Sequence, residues 1–439
     1  MVEANKLIHR RSHHLIIGSI LVCFGMKIVL NFFLYGRTPQ DFAPDENTYS
    51  KLNDWIFSGG NAGEFPLTGG DLFYTSLSFN LPTQFLIYIG IPSIFAIRLI
   101  SSIYSLLCAL LIYKFLLDNK EKFYKKDQSK VFNAIIPILV LIYLTLPSHF
   151  IWSSLGLRES ANEFWLLAGF YALKSIIKDI NKKINYLYLF ATIIVLFYSR
   201  PETSYVFMFT TFIIGIYFLV SKRKILLLLS IISAYIFITV SFSYNLGKMV
   251  DSSTPKDSQY TITTQNVQST FTKPINQLAD INNQVRGKKK GANTARPTYS
   301  CPILVEKNLM SYGCLIYNLP KTSWDYVYRP FFIVDVLESN VKRFVAIENI
   351  FWILIFMLVY LRGIYLWKDV KNNLNFVSLI IFITTFVIIS GVFEGNFGTA
   401  FRHKSLLLPL LLIATQYLFF DKKKESRREN FRFKSLRKI

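Results

Sequence analysis

The sequence predicts an all-α membrane protein that crosses the bilayer about ten times. Of its 439 residues, 52% are hydrophobic, and the mean hydropathy is +0.35. A soluble domain cannot bury so many long apolar runs, several of which approach or exceed the roughly 20 residues that span a hydrocarbon core. The runs lie near 15–35, 85–117, 131–151, 161–178, 184–198, 203–220, 225–244, 347–366, 375–393 and 405–420.

The first two runs have features of their own. Lys6, Arg10 and Arg11 precede the first run, and no small-residue cleavage site accompanies it, so we expect it to be retained as a span. The second run is longer than a span requires. It predicts a short interfacial segment followed by a span that begins near Pro92.

The segments that connect the runs alternate in charge. Segments rich in Lys and Arg are 1–14, 118–130, 174–183, 221–224, 362–374 and 421–439, and the others are 36–84, 152–160, 199–202, 245–346 and 394–404. The positive-inside bias predicts that the basic set and both termini are cytoplasmic and that the second set lies outside. Topology then explains the net charge of +22, which in a soluble protein would suggest nucleic acid. We expect no nucleic-acid partner.

This topology divides the chain into four parts. An N-terminal membrane module, 1–244, carries the first outer loop at 36–84, and a long outer loop follows at 245–346. The C-terminal membrane helices take up 347–420, and a basic cytoplasmic tail takes up 421–439. Cys301 and Cys314 lie in the long loop and predict either a disulfide, if that loop faces an oxidising space, or two free thiols.

The first outer loop carries the best candidates for catalysis. Its acidic residues are Asp41, Asp45, Glu46, Asp54, Glu64 and Asp71, against Arg37 and Lys51 alone. We predict that Asp45 and Glu46 act as a catalytic acid/base or hold a divalent cation. Asp45 follows Pro44 at the start of an amphipathic stretch, so capping of a short helix is the competing interpretation.

Two short outer loops add arginines and carboxylates. Arg158 and Glu159 are candidates for lining a site, and so is Arg200 at the outer edge of the membrane. The spacing of Ser160 to Glu163 fits a capping box at the start of a span, and that of Ser199 to Glu202 fits another. Both boxes predict a structural role for their glutamates.

The last outer loop carries the adjacent basic residues Arg402, His403 and Lys404. Three such residues in a short outer loop oppose the topology bias, so we predict that they bind an anion, with lipid-headgroup anchoring as the alternative. Arginine suits phosphate because its planar fork donates parallel hydrogen bonds.

These residues resemble the GT-C membrane glycosyltransferases, and most nearly the bacterial relatives of protein O-mannosyltransferases and of lipid A aminoarabinose transferases. The stretches that carry the resemblance are Asp45-Glu46, Arg98-Leu99-Ile100-Ser101, Arg158-Glu159, Arg200-Pro201-Glu202 and Gly398-Thr399-Ala400-Phe401-Arg402-His403. The resemblance implies a catalytic base or metal contact at Asp45 or Glu46. It implies that arginines hold a polyprenyl-phosphate sugar donor at the plasma (inner) membrane, with a surface glycan or lipid-linked acceptor.

Two other functions fit part of the pattern. A polysaccharide polymerase of the O-antigen type has a similar number of spans, a large outer loop and outer arginines, but does not depend on an acidic pair in the first loop. A transporter or flippase for a lipid-linked sugar would place charges midway through broken spans, often in two related halves. The clustering of charges at one edge favours the transferase.

Overall fold

In a computed structural model of the chain, residues 2–34, 44–61, 76–120, 129–179, 181–222, 309–329, 340–367, 373–393 and 397–419 are described. These residues are mainly helical, and no strand occurs among them. The helices are α1 (Val2–Phe33), α2 (Pro44–Phe57), α3 (Leu77–Tyr88), α4 (Ser93–Lys120), α5 (Ser129–Thr145), α6 (Pro147–Trp152), α7 (Glu159–Lys178), α8 (Lys183–Ser199), α9 (Pro201–Lys222), α10 (Leu309–Tyr328), α11 (Asn340–Trp367), α12 (Leu374–Phe393), α13 (Phe397–Lys404) and α14 (Leu408–Thr415).

Five of the described helices are long and apolar enough to cross a membrane. The qualifying segments are His14–Phe33, Ser93–Asn119, Pro201–Val220, Ala346–Leu366 and Leu374–Gly391. Helices α5 and α8 are apolar but shorter, and the apolar run at 225–244 lies outside the described residues. The structure therefore has the all-α, multi-pass character that the sequence predicts, and the count of ten spans stays a prediction.

The second apolar run divides as expected. Helix α3 ends at Tyr88, Gly90 turns the chain at a φ of 93°, and α4 begins directly after Pro92. The outward face of α3 carries exposed Leu81, Phe85 and Tyr88, while Asn80 on the other face is buried. An apolar outward face suits a helix that lies at a membrane surface.

Helix α14 lies at the centre of the bundle. It is a short α-helix between the 3-10 turns Ser405–Leu407 and Gln416–Phe419, and every residue of α14 is buried. It packs against α4, α5, α7, α11 and α12. A helix that is apolar on all sides is expected to be surrounded by protein in this way.

Connections that were predicted to share one face do meet at one end of the bundle. Asp45 in the first loop contacts Arg402 in the last, and the Gly156 N–H donates to Glu46. At the other end, Asn119 of α4 hydrogen-bonds Gln416, close to the start of the basic tail. We refer to the first as the outer end, following the predicted orientation, which stays a prediction.

Candidate functional site

Seven polar residues gather at the outer end from segments far apart in the sequence. They come from α2, α7 and the residue before it, α9 and the residue before it, and α13. We call this group the outer cluster, and its members are Asp45, Arg158, Glu159, Arg200, Glu202, Arg402 and His403.

Arg402 joins the first outer loop to the start of α7. Its Nη1 donates a 2.7 Å hydrogen bond to Asp45 Oδ2, and Glu159 Oε1 lies 3.0 Å from its Nε as an ion pair without hydrogen-bond geometry. The Asp45 side chain is 48% exposed, whereas that of Glu159 is 6% exposed. Asp45 lies in the first turn of α2, where the helix dipole favours a carboxylate. Asp45 therefore combines accessibility with a fixed cationic neighbour.

Arg200 and Arg158 make few contacts for groups so close to the protein interior. Arg200 is buried, and its Nε donates 2.7 Å to Glu202 Oε1, which is the one side-chain hydrogen bond it makes within the described chain. Arg158 is half-buried and its Nη1 donates 3.2 Å to Ser76 Oγ, again its one such bond among described residues. Because a guanidinium carries several donors in a planar fork, both side chains retain donors for a ligand.

The charges of the cluster act on one another. Burial raises the pKa of the Glu159 carboxyl, but the positive charges of Arg402 and Arg200 outweigh burial and hold that pKa below its ordinary value. Burial and the neighbouring Arg200 hold the pKa of His403 well below its ordinary value. Glu159 is therefore ionised and His403 neutral near pH 7, so His403 offers a hydrogen bond rather than a positive charge.

The two adjacent acids Asp45 and Glu46 have different partners in the structure. Glu46 is buried, and its two carboxylate oxygens accept hydrogen bonds of 2.6 and 3.0 Å from Arg98 Nε and Nη2. Glu46 Oε1 also accepts the Gly156 N–H at 2.9 Å. A Cβ on Gly156 would lie 2.4 Å from Ile97, so glycine permits this close approach. These contacts give Glu46 and Arg98 a structural role.

The divalent cation predicted at Asp45 and Glu46 stays a prediction. Arg98 occupies the carboxylate of Glu46, which leaves Asp45 as the accessible acid of the pair. Within the described ranges there is no group of three or more His, Cys, Asp or Glu side chains placed to hold a metal ion.

Lys404, the third basic residue of the last outer loop, is buried. Its Nζ donates to Val327 O at 2.9 Å and to Asn349 Oδ1 at 2.7 Å, and it lies over the rings of Trp352 and Phe401. These contacts fix α13 against α10 and α11. They give Lys404 a role in positioning Arg402, two residues before it, while its predicted contact with an anion stays a prediction.

Both predicted capping boxes are absent. Helix α7 begins at Glu159 without a side-chain cap, and the buried Glu163 accepts hydrogen bonds from Tyr143 and Ser405 and lies 2.9 Å from His149 Nε2. Before α9, the Ser199 hydroxyl donates to the Leu196 carbonyl, although Pro201 does begin the helix as predicted. Long-range partners replace the predicted local bonds at Glu163, whereas Ser199 and Glu202 make other local bonds, to Leu196 and Arg200.

Of the buried polar groups outside the cluster, Lys27 lies within the first predicted span, and Glu348 was not singled out by the sequence. Lys27 Nζ donates 2.6 and 2.5 Å hydrogen bonds to Ser105 and Ser153, and Glu348 accepts the Ser148 N–H at 2.8 Å. Ionisable residues within apolar runs are the available signal, because a membrane interior tolerates them chiefly where they have partners. Cys301 lies outside the described residues, as does the side chain of Cys314, and the disulfide stays a prediction.

Comparisons of the chain with family models, with curated proteins and with solved structures give no match. The function is therefore argued from the geometry of the outer cluster.

Proposed function

We propose that the chain is a membrane glycosyltransferase that moves a sugar from a polyprenyl-phosphate donor to a hydroxyl of a surface glycan or lipid-linked acceptor. The outer cluster would bind the donor phosphate, and Asp45 would act on the acceptor. The membrane body would hold the lipid chain.

One observation carries this proposal. Arg158, Arg200 and Arg402 each make one side-chain hydrogen bond within the described part of the chain, and all three are buried or half-buried at the same end. Of their nitrogen atoms, Arg402 Nε is buried without a hydrogen-bond partner in the described structure, and a donor in such a position is usually paired. A phosphate would accept from several of these donors at once, and charge-assisted bonds of this kind are the strong ones.

Asp45 suits the role of general base. Arg402 holds its Oδ2, and its half-exposed side chain leaves Oδ1 able to take a proton from an acceptor hydroxyl. The acceptor oxygen would form a bond to the anomeric carbon while the bond from that carbon to the phosphate oxygen breaks. The proton goes to Asp45, and the negative charge that develops on the leaving polyprenyl phosphate is stabilised by the arginines.

Asp45→Asn tests this assignment, and Asp54→Asn is its matched control. Asp54 lies on the same helix, is exposed and accepts one hydrogen bond, from Ser93. Membranes that carry each variant would receive labelled polyprenyl-phosphate sugars together with cell-envelope glycan. We expect Asp45→Asn to lower transfer by roughly 10²–10⁴-fold and Asp54→Asn to leave it unchanged.

Three other outcomes would contradict parts of the proposal. Equal transfer by Asp45→Asn and wild type would remove Asp45 from the mechanism. Transfer from lipid-linked oligosaccharides alone would favour a polymerase. Movement of intact labelled donor across the membrane, with no label leaving the lipid, would favour a transporter.

A further inference from the structure

Two buried polar side chains beneath the outer cluster have no hydrogen-bond partner in the described structure. Asn162 on α7 is fully buried, and neither its amide nitrogen nor its amide oxygen is paired. Thr203 on α9 is also fully buried, with its hydroxyl unpaired. Buried polar groups in proteins are normally satisfied, so each exception calls for a ligand, a water or another explanation.

The helical register relates Asn162 and Thr203 to one contact between α7 and α9, at Gly169 and Phe207. A Cβ on Gly169 would lie 2.7 Å from Phe207 Cζ on α9 and 2.7 Å from Thr192 Cγ2 on α8, and the rings of Phe170 and Phe207 are 5.1 Å apart. Asn162 precedes Gly169 by seven residues and Thr203 precedes Phe207 by four, spacings that keep a side chain on the same helical face. Both helices begin at the outer end, so Asn162 and Thr203 lie on the cluster side of the Gly169 contact.

Along its own helix, each side chain lies between a charged residue of the outer cluster and an aromatic residue. Arg158 is four residues before Asn162 and Arg200 three before Thr203, which puts the arginines about 4.5–6 Å closer to the outer end. On the other side, the rings of Phe170, Phe207 and Phe382 pack together, with centroids 5.1–6.4 Å apart. A ligand here would contact arginines on the side of the outer end, neutral hydrogen-bonding groups beside it and aromatic rings on the opposite side.

We propose that Asn162 and Thr203 bind hydroxyl groups of the donor sugar, so that the site recognises a phosphate ester of a polyol. This inference rests on the proposed function and assigns its sugar specificity to named residues. An amide both donates and accepts, and so does a hydroxyl, which matches sugar hydroxyls. Neutral groups beside a cationic layer suit a neutral polyol attached to a single anion rather than a second anion.

Thr203→Val and Asn162→Leu test the inference because both substitutions preserve approximate shape and remove the hydrogen-bonding atoms. Thr211→Val is the matched control. Thr211 lies on the same helix and is equally buried, but its hydroxyl donates to Met208 O within the helix. The first readout is transfer from the accepted donor and from its monodeoxy analogues.

We expect wild type and Thr211→Val to discriminate against one or more deoxy donors by about tenfold, the effect of roughly one hydrogen bond. Thr203→Val and Asn162→Leu should lose that discrimination. If both variants discriminate as the wild type does, the unpaired groups serve only ordered water and the inference is wrong.

A second readout needs no catalysis. Thermal stabilisation of the purified protein by hexose 1-phosphates and pentose 1-phosphates is compared with stabilisation by inorganic phosphate. Wild type should bind at least one sugar phosphate about tenfold more tightly than inorganic phosphate, and Thr203→Val should bind the two alike. Absence of transfer with this preference intact would overturn the proposed function alone. Absence of the preference in wild type would overturn the sugar subsite.

Discussion

The substitution Glu46→Gln tests whether Glu46 stabilises the fold through its buried ion pair with Arg98, unlike its neighbour Asp45. It keeps the shape of the side chain and removes the charge opposite Arg98, while both side chains are nearly inaccessible, at 3% and 1% exposure. Arg98 would then remain in the interior as a cation without the charge of Glu46 opposite it. The neighbouring Asp45→Asn removes a half-exposed charge and serves as the control.

The expected loss in the free energy of unfolding follows from the contacts of Glu46 and Arg98. Breaking a buried ion pair by removing one partner costs about 3–5 kcal/mol, because the remaining charge stays desolvated. The two hydrogen bonds from Arg98, at 2.6 and 3.0 Å, support a cost of this size. Asp45→Asn should cost less than about 1 kcal/mol, the usual range for an exposed pair. Replacing both partners, as in Glu46→Leu/Arg98→Met, should recover most of the loss.

The assay is unfolding of the purified protein in detergent, followed by tryptophan fluorescence. The predicted order of stability is wild type, Asp45→Asn, then Glu46→Gln far below, with the double replacement above Glu46→Gln. Equal stability of Glu46→Gln and wild type would refute the reasoning, and so would a loss in Asp45→Asn as large as in Glu46→Gln.

Further predictions concern His403, Lys404 and the contact at Gly169. Because the pKa of His403 is held well below its ordinary value in the fold, the unfolded chain alone takes up a proton as the pH falls below about 6.5. Stability should therefore decline from pH 6.5 to 5, and His403→Gln should flatten that decline in melting curves; identical slopes would contradict it. Lys404→Met should cost about 1–3 kcal/mol in denaturant titrations because it removes two buried hydrogen bonds, to Val327 O and Asn349 Oδ1, and stability equal to wild type would argue against its positioning role. Gly169→Val should cost about 1–3 kcal/mol through overlap with Phe207 and Thr192, and Phe207→Leu should relieve part of that loss in the same titrations; no relief would mean that overlap with Phe207 does not cause the loss.

The sequence predicts the membrane class well because the bilayer sets a length and an apolarity that local stretches must meet. The alternation of basic and non-basic connections also places Asp45 and Arg402 on one face, and the structure joins them across 357 residues. The amphipathic stretch after Pro44 forms α2, with Tyr49 and Leu52 buried as its periodicity predicts. These features follow from local composition and simple counting.

Pairing across the bundle is harder to predict, because it depends on helix rotation and depth. Asp45 and Glu46 are adjacent, but successive residues point about 100° apart on a helix, so one meets Arg402 and the other meets Arg98. Sequence spacing favoured a local cap for Glu163, whereas tertiary contacts with His149 and Ser405 prevail. An apolar run at 405–420 likewise fits a span and a buried central helix equally well.

Equilibrium binding of labelled polyprenyl monophosphate to the protein in lipid nanodiscs tests the central claim most directly. Arg200→Gln should weaken binding by about tenfold or more, in line with the loss of a hydrogen bond to a charged group. The control is Arg362→Gln, which removes an arginine that contacts the Tyr417 carbonyl at the opposite end, and it should leave binding unchanged. Uncharged polyprenol should not compete. Equal weakening by Arg362→Gln, or equal competition by polyprenol, would contradict a phosphate site at the outer cluster.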